Sequence, residues 1–205
     1  MITSGFLITA FATLFVVIDP PGLVPLFIAL TRGMSVSRRR ALATRACIIA
    51  IGILAAFAFA GEALLGFIGI TMPAFRIAGG ILLFLTALDM LFERRTQRRE
   101  GQQAEPDHDP SVFPLATPLI AGSGAIATMI LLVGQAGGGM AGTLVVIGVM
   151  LVVMITTFAF LLAAPPLERI LGRTGTIVIT RLLGMLLAAL SVQFVIDGIR
   201  GTGLI

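Results

Sequence analysis

Apolar positions in this chain come in unbroken blocks, not in the alternation of a half-buried strand or the one-sided stripe of a surface helix. Residues 41–61 hold 21 positions with Arg45 as the only charge, and 142–164 and 174–195 hold 23 and 22, with Arg181 as the only charge in either. A helix rises 1.5 Å per residue, so a run of ~20 apolar residues crosses a hydrocarbon core ~30 Å thick. Six such runs are predicted as transmembrane helices, over residues 4–30, 43–66, 72–92, 113–133, 143–164 and 176–196. The pattern predicts an all-α, polytopic membrane protein.

Composition agrees. Of 205 residues 58% are hydrophobic and 12% charged, about half the ~25% charge of soluble domains, too little polar surface to cover a water-soluble fold. The net charge of +4 could suggest nucleic acid. All 14 basic residues are arginine, however, most flank the apolar runs, and Trp and Tyr are absent. The charge is therefore assigned to the anionic inner leaflet of a bilayer, with no nucleic-acid partner. Cys47 is the only cysteine, which excludes an internal disulfide and leaves no metal-ligand cluster. The amino terminus lacks a basic n-region, so the first run is expected to stay in the membrane.

The arginines orient the chain. Arg32, Arg38, Arg39, Arg40 and Arg45, then Arg94, Arg95, Arg98 and Arg99, then Arg169, Arg173 and Arg181 lie in the first, third and fifth loop regions, 12 of the 14 basic residues. The second and fourth loops have none. The positive-inside rule puts the odd loops in the cytoplasm and both termini outside, which is the periplasm if the bilayer is a bacterial inner membrane. The third loop, residues 93–110, is polar and aperiodic, carries the lone His108, and reads as a linker. It divides the chain into a first three-helix repeat (1–92), a linker (93–112) and a second repeat (113–205).

The two halves share a grammar. Each opens with an apolar run broken by proline and glycine: Asp19-Pro20-Pro21-Gly22-Leu23-Val24-Pro25 in the first, and Pro114-Leu115-Ala116-Thr117-Pro118 leading to Gly122-Ser123-Gly124 in the second. Each closes with a run entered through an arginine and then glycine, at Arg76 to Gly80 and at Arg181 to Gly184. Three spans being an odd number, the second repeat must insert upside down. Paired broken helices in inverted repeats point to a substrate site near the midplane of a secondary transporter. The candidate binding residues are Asp19, Pro20, Gly22, Pro25, Thr117, Pro118, Gly122, Ser123 and Gly124. Asp19 can cap the half-helix that Pro20 and Pro21 begin, and its charge can face an ammonium; a purely structural cap is the competing reading. Asp89, Arg76 and Arg181 are secondary candidates, Asp89 as a partner of a loop arginine such as Arg94, the two arginines as side chains reaching opposite interfaces. No His-Glu-x-x-His, Ser–Lys dyad or phosphate loop is present, and no enzyme is expected.

These residues resemble the MarC family of bacterial and archaeal inner-membrane proteins, allied to the LysE-type exporters. Asp19, Pro20, Gly22 and Pro25 match the family's Asp/Asn-Pro-x-Gly-x-x-Pro. Pro114, Leu115, Pro118, Ala121, Gly122, Gly124, Ala125 and Ile126 match its second motif, in which Ser123 replaces the usual proline. The resemblance covers essentially the whole chain. It implies a transporter of small neutral amino acids of the alanine and glycine class. Exporters of other small metabolites, or a scaffold without transport, are the alternatives. No resident cofactor is implied; Na+ or H+ coupling and homo-oligomerisation are left open.

Overall fold

The computed structural model describes residues 3–94 and 109–203. Most of the polar linker, with Arg95, Arg98, Arg99 and His108, lies outside the described residues. Among those described there is helix and no strand: α1 (Ser4–Ile18), α2 (Pro20–Leu30), α3 (Val36–Phe67), α4 (Met72–Leu91), α5 (Ser111–Ile120), α6 (Ser123–Gln135), α7 (Gly139–Leu162) and α8 (Ala164–Gly201). α1 and α2 together make one apolar span of 27 residues; α3, α4, α7 and α8 are each long and apolar enough to cross a membrane. α5 and α6 meet at a bend of 52° and supply the sixth crossing if taken as one broken span.

The helix ends follow from local chemistry. Thr3, Ser35 and Thr71 each accept a hydrogen bond from a first-turn N–H of α1, α3 and α4, meeting part of the need that the four opening amides of a helix carry. α3 runs 32 residues, about 48 Å at 1.5 Å per residue, and so outreaches the hydrocarbon core. The apolar pattern places its start near residue 43. It starts seven residues earlier because Ser35 caps it and arginine is a good helix former, neither of which an apolarity window can see. α8 likewise begins at Ala164, well before residue 176, and carries its one break at Gly172 (φ 58°, ψ −178°).

The α1–α2 span and α6 sit at the centre. In the α1–α2 span 67% of the most apolar window is buried, against 28–33% in α3, α4, α7 and α8, so these four helices form the outer layer. From Ala125 to Val133 on α6 every residue but Ile126 is buried. Large apolar side chains on the outer helices, such as Ile48, Phe59, Leu85, Ile155 and Leu186, are exposed. Without lipid that surface would be an aggregation hazard; in lipid it is ordinary.

Packing between the halves is paired. α4 lies along α8 and α3 along α7; α2 packs on α8 as α6 packs on α4; α1 packs on α7 as α5 packs on α3. The α4–α8 seam is closed by glycine. A Cβ at Gly80 would lie 2.8 Å from the Ser191 carbonyl oxygen, and one at Gly184 would lie 2.9 Å from the Met90 Cβ. Small residues let helices in lipid approach to backbone contact, where dispersion and not the hydrophobic effect holds them.

Candidate functional site

The first break is a single residue. Two consecutive prolines remove two N–H donors and disfavour helix in the residue before them, so α1 must end at Ile18. Asp19 takes the left-handed conformation (φ 58°, ψ 63°) and serves both helices. Its N–H donates to the Phe15 carbonyl at 2.9 Å, its carbonyl accepts from the Leu23 N–H at 3.1 Å, and its Oδ1 accepts from the Gly22 N–H at 3.2 Å. Asp19 is therefore the last residue of one half-helix and the side-chain cap of the next. The N-terminal end of α2, with its partial positive charge, faces the carboxylate.

Gly22 is dictated by the same geometry. A Cβ at position 22 would overlap the Asp19 carboxylate, with Cγ 2.7 Å and Oδ1 3.0 Å away. Pro25, one turn further on, lacks the N–H that would bond the Pro21 carbonyl. The turn beyond Asp19 thus lacks the i→i−4 bond that the Pro21 carbonyl would otherwise accept.

Asp19 is 1% exposed. Thr180 on α8, itself buried, donates its hydroxyl to Asp19 Oδ1 at 3.3 Å. This contact joins residues 161 positions apart and ties the break to the last helix. Below it a pocket of about 200 Å³ is lined by Gly22, Val24 and Pro25 of α2, by Glu168, Gly172, Arg173, Thr176, Ile177 and Thr180 of α8, and by Glu93 at the end of α4. Thr176 and Thr180, four apart, share one face of α8. The pocket runs from the arginine-rich end of the bundle to the break. At its rim the Arg181 guanidinium pairs with Glu93, a residue in left-handed conformation (φ 58°) just past α4.

The second break is built differently. α5 is a wide-turned segment, with Leu115 N–H bonding Pro110 O and Ala121 N–H bonding Ala116 O, and extended backbone at Phe113 and Thr117. The Phe113–Pro114 and Thr117–Pro118 peptides are cis. Its start is moored to α3: Asp109 Oδ1 accepts from the Ser111 N–H (3.0 Å) and hydroxyl (2.7 Å), while Asp109 Oδ2 pairs with Arg45 at 2.9 Å. Those partners, the Ser111 N–H foremost, hold the Asp109 carboxyl below its ordinary range. Gly122 then caps α6 without a side-chain bond.

The structure brings part of the expected constellation together. Asp19, Pro20, Gly22 and Pro25 form one unit. Gly124 meets it from α6, where an added Cβ would lie 3.3 Å from Val17. Thr117 and Ser123 are exposed and Pro118 and Gly122 half-buried, whereas Asp19 is buried. Asp89 is half-buried on α4. Arg76 is half-buried near the opposite end, its Nε shielded and without a hydrogen-bond partner among the described residues. Arg181 joins the pocket rim. Sequence reasoning passed over Thr180, Thr176, Glu168 and Arg173. The available signal was a hydroxyl pair at i, i+4 inside an apolar run, next to an arginine. Among the described residues no group of three His, Cys, Asp or Glu side chains could hold a metal ion.

The chain matches the model of the "MarC family integral membrane protein" over residues 4–202. It is 40% identical over 198 residues to a UPF0056 membrane protein of Archaeoglobus fulgidus, covering 95% of this chain and 92% of that one. It is also 40% identical to the UPF0056 membrane protein MJ1677 of Methanocaldococcus jannaschii (96% and 97% covered). The UPF0056 inner membrane protein YhgN of Escherichia coli K12 is 36% identical (95% and 96% covered). No solved structure matches the chain at a significant level.

Proposed function

The chain belongs to the MarC family of integral, multi-pass membrane proteins, and from that premise we propose that it is a secondary transporter of small neutral amino acids, of the alanine and glycine class, working by alternating access. The observation that carries this reading is Asp19: a buried carboxylate at the joint of two half-helices, held by Gly22 and Thr180, which both line a pocket that reaches the arginine-rich end. An ionisable group at membrane depth is costly and marks a pathway by default. The pocket suits a small zwitterion. Its ammonium would meet the Asp19 carboxylate, which Thr180 holds in place, and its carboxylate would meet Arg173 and, once turned from the Gly172 carbonyl, the Thr176 hydroxyl.

The paired packings support two inverted three-helix repeats, residues 1–92 and 113–205, joined by the linker 93–112. α4 and α8, and α3 and α7, would be equivalent helices meeting about a pseudo-twofold axis, with α1–α2 and α5–α6 as the broken first helices. On the positive-inside rule the pocket opens to the cytoplasm and both termini are periplasmic. In this reading the chain binds and moves its substrate without chemistry on it and without a resident cofactor. The coupling ion, Na+ or H+, and self-association are for measurement.

The test is uptake of labelled alanine, glycine and a panel of other small metabolites into proteoliposomes, with the Asp19→Asn protein beside the wild type. Asparagine caps a helix about as well as aspartate, so the fold should survive. Removing the charge from an ammonium should cost ~3–5 kcal/mol, over a hundredfold in affinity. Normal alanine transport by Asp19→Asn would end the charge role. No transport of any solute by the folded wild type would favour a scaffold, and transport confined to other metabolites would reassign the substrate.

A further inference from the structure

A second cleft, of about 120 Å³, lies at the same end of the bundle but on another side. It forms where α2 ends, α3 begins, α7 ends and α8 begins. Phe27, Ile28, Leu161 and Leu162 make an apolar wall, and Arg39 and Arg40 supply the only charges in its lining. None of the lining residues is acidic. Arg39 Nε is shielded from solvent and has no hydrogen-bond partner among the described residues.

A guanidinium presents its donors as a planar fork that fits two oxygens of a phosphate, and a shielded donor without a partner is a position that an acceptor would stabilise. The cleft also adjoins the first turn of α3, where Ser35 takes the N–H groups of Arg38 and Arg39 and the helix end adds positive potential of the same sign. A freely soluble anion would gain nothing from the wall of Phe27, Ile28, Leu161 and Leu162. A molecule with a phosphodiester and adjoining hydrocarbon would use both parts. Leu162 and Val36, at the rim, are 39% and 79% exposed, so acyl chains could leave the cleft along apolar surface.

We propose that this cleft binds the phosphate of an anionic phospholipid, with Arg39 and Arg40 on the headgroup and the first acyl carbons against Phe27, Ile28, Leu161 and Leu162. The site is independent of the Asp19 pocket and of the transport reading. It differs from general attraction of arginines to an anionic leaflet, which any surface arginine contributes about equally.

Native mass spectrometry of the full chain in detergent, titrated with short-chain phosphatidylglycerol, short-chain phosphatidylcholine and inorganic phosphate, tests it. The expected result is retention of phosphatidylglycerol at least tenfold stronger than of either other probe. Arg39→Gln with Arg40→Gln should abolish that preference. Arg32→Gln with Arg38→Gln, an equal loss of charge at residues outside the lining, should leave it. If the first pair does not yield folded protein, Leu162→Glu places a carboxylate at the rim and should weaken phosphatidylglycerol alone. Equal loss in both arginine pairs, no preference over phosphatidylcholine, or full retention in Leu162→Glu would overturn the site. Inorganic phosphate binding as tightly as phosphatidylglycerol would assign the cleft to a soluble anion and overturn the lipid.

Discussion

Replacing Gly22 with alanine adds one carbon where the Asp19 carboxylate already lies, and the cost can be worked through. The side chain of Asp19 must rotate away, losing the bond to the Gly22 N–H and the bond from Thr180. A lost cap costs about 1 kcal/mol, and a lost hydrogen bond to a charged group about 1.5–3. Alanine returns about 1 kcal/mol of helix propensity over glycine. The net expectation is destabilisation by roughly 1.5–3 kcal/mol. A second substitution isolates the cause. Asp19→Gly keeps the left-handed joint, since glycine takes positive φ freely, and costs only a few tenths as a cap relative to aspartate. In that background the three atoms closest to the new Cβ are gone, and Gly22→Ala should be neutral or stabilise by up to about 1 kcal/mol. The coupling between the two positions should thus be about 3 kcal/mol, far above the ~0.5 expected of independent sites. Circular dichroism during unfolding in mixed micelles, across the four proteins, measures it. If Gly22→Ala is as damaging with Asp19→Gly as without it, the clash does not lie with the Asp19 carboxylate and the geometry of the joint is wrong.

Thr180→Val should weaken alanine uptake about tenfold, the worth of one hydrogen bond to a charge, while Thr180→Ser restores most of it; equal uptake in all three would remove Thr180 from the site. Gly80→Ala drives a Cβ to 2.8 Å from the Ser191 carbonyl oxygen and should destabilise by about 1–3 kcal/mol, whereas Gly52→Ala meets nothing within 4 Å and should not, as paired thermal melts in detergent would show. Asp109 should titrate below the ~3.9 of a free aspartate, and Ser111→Ala should raise its midpoint in an NMR titration. The sign follows: the folded value is depressed, so the stabilisation is full above ~3.9 and fades as pH falls through the folded value. The Arg45–Asp109 pair is largely exposed, so the effect on stability should be small.

Much of this molecule is legible in one dimension because lipid makes a simple demand. Every backbone group in a span must be satisfied within a helix, so uninterrupted apolar runs translate directly into α3, α4 and α7. Interruptions such as Asp19-Pro20-Pro21 announce themselves by breaking the rule. Even the dual capping role of Asp19 can be read from its two neighbouring prolines. What proved illegible is what depends on distant pairing. Thr180 is one more threonine in an apolar run until α8 lies against α2. Thr117 and Ser123 look equivalent to the first break, yet both are exposed where Asp19 is buried, and α5 winds in wide turns that proline spacing alone does not specify. Helix ends were missed where polar residues prolong a helix past the hydrocarbon, as Arg38, Arg39 and Arg40 do in α3.

The joint at Asp19 carries a consequence for motion. The angle between α1 and α2 is set by two torsions of one residue, which sit in a narrow left-handed well that aspartate tolerates better than most side chains. Any change in that angle must move those torsions, and moving them swings the carboxylate that hangs from the same Cα. Whatever charge engages the carboxylate therefore holds the elbow, and whatever bends the elbow presents or withdraws the carboxylate. In the proposed transporter, ligand occupancy and helix geometry would become one coordinate, with no relay of intervening side chains needed to link them.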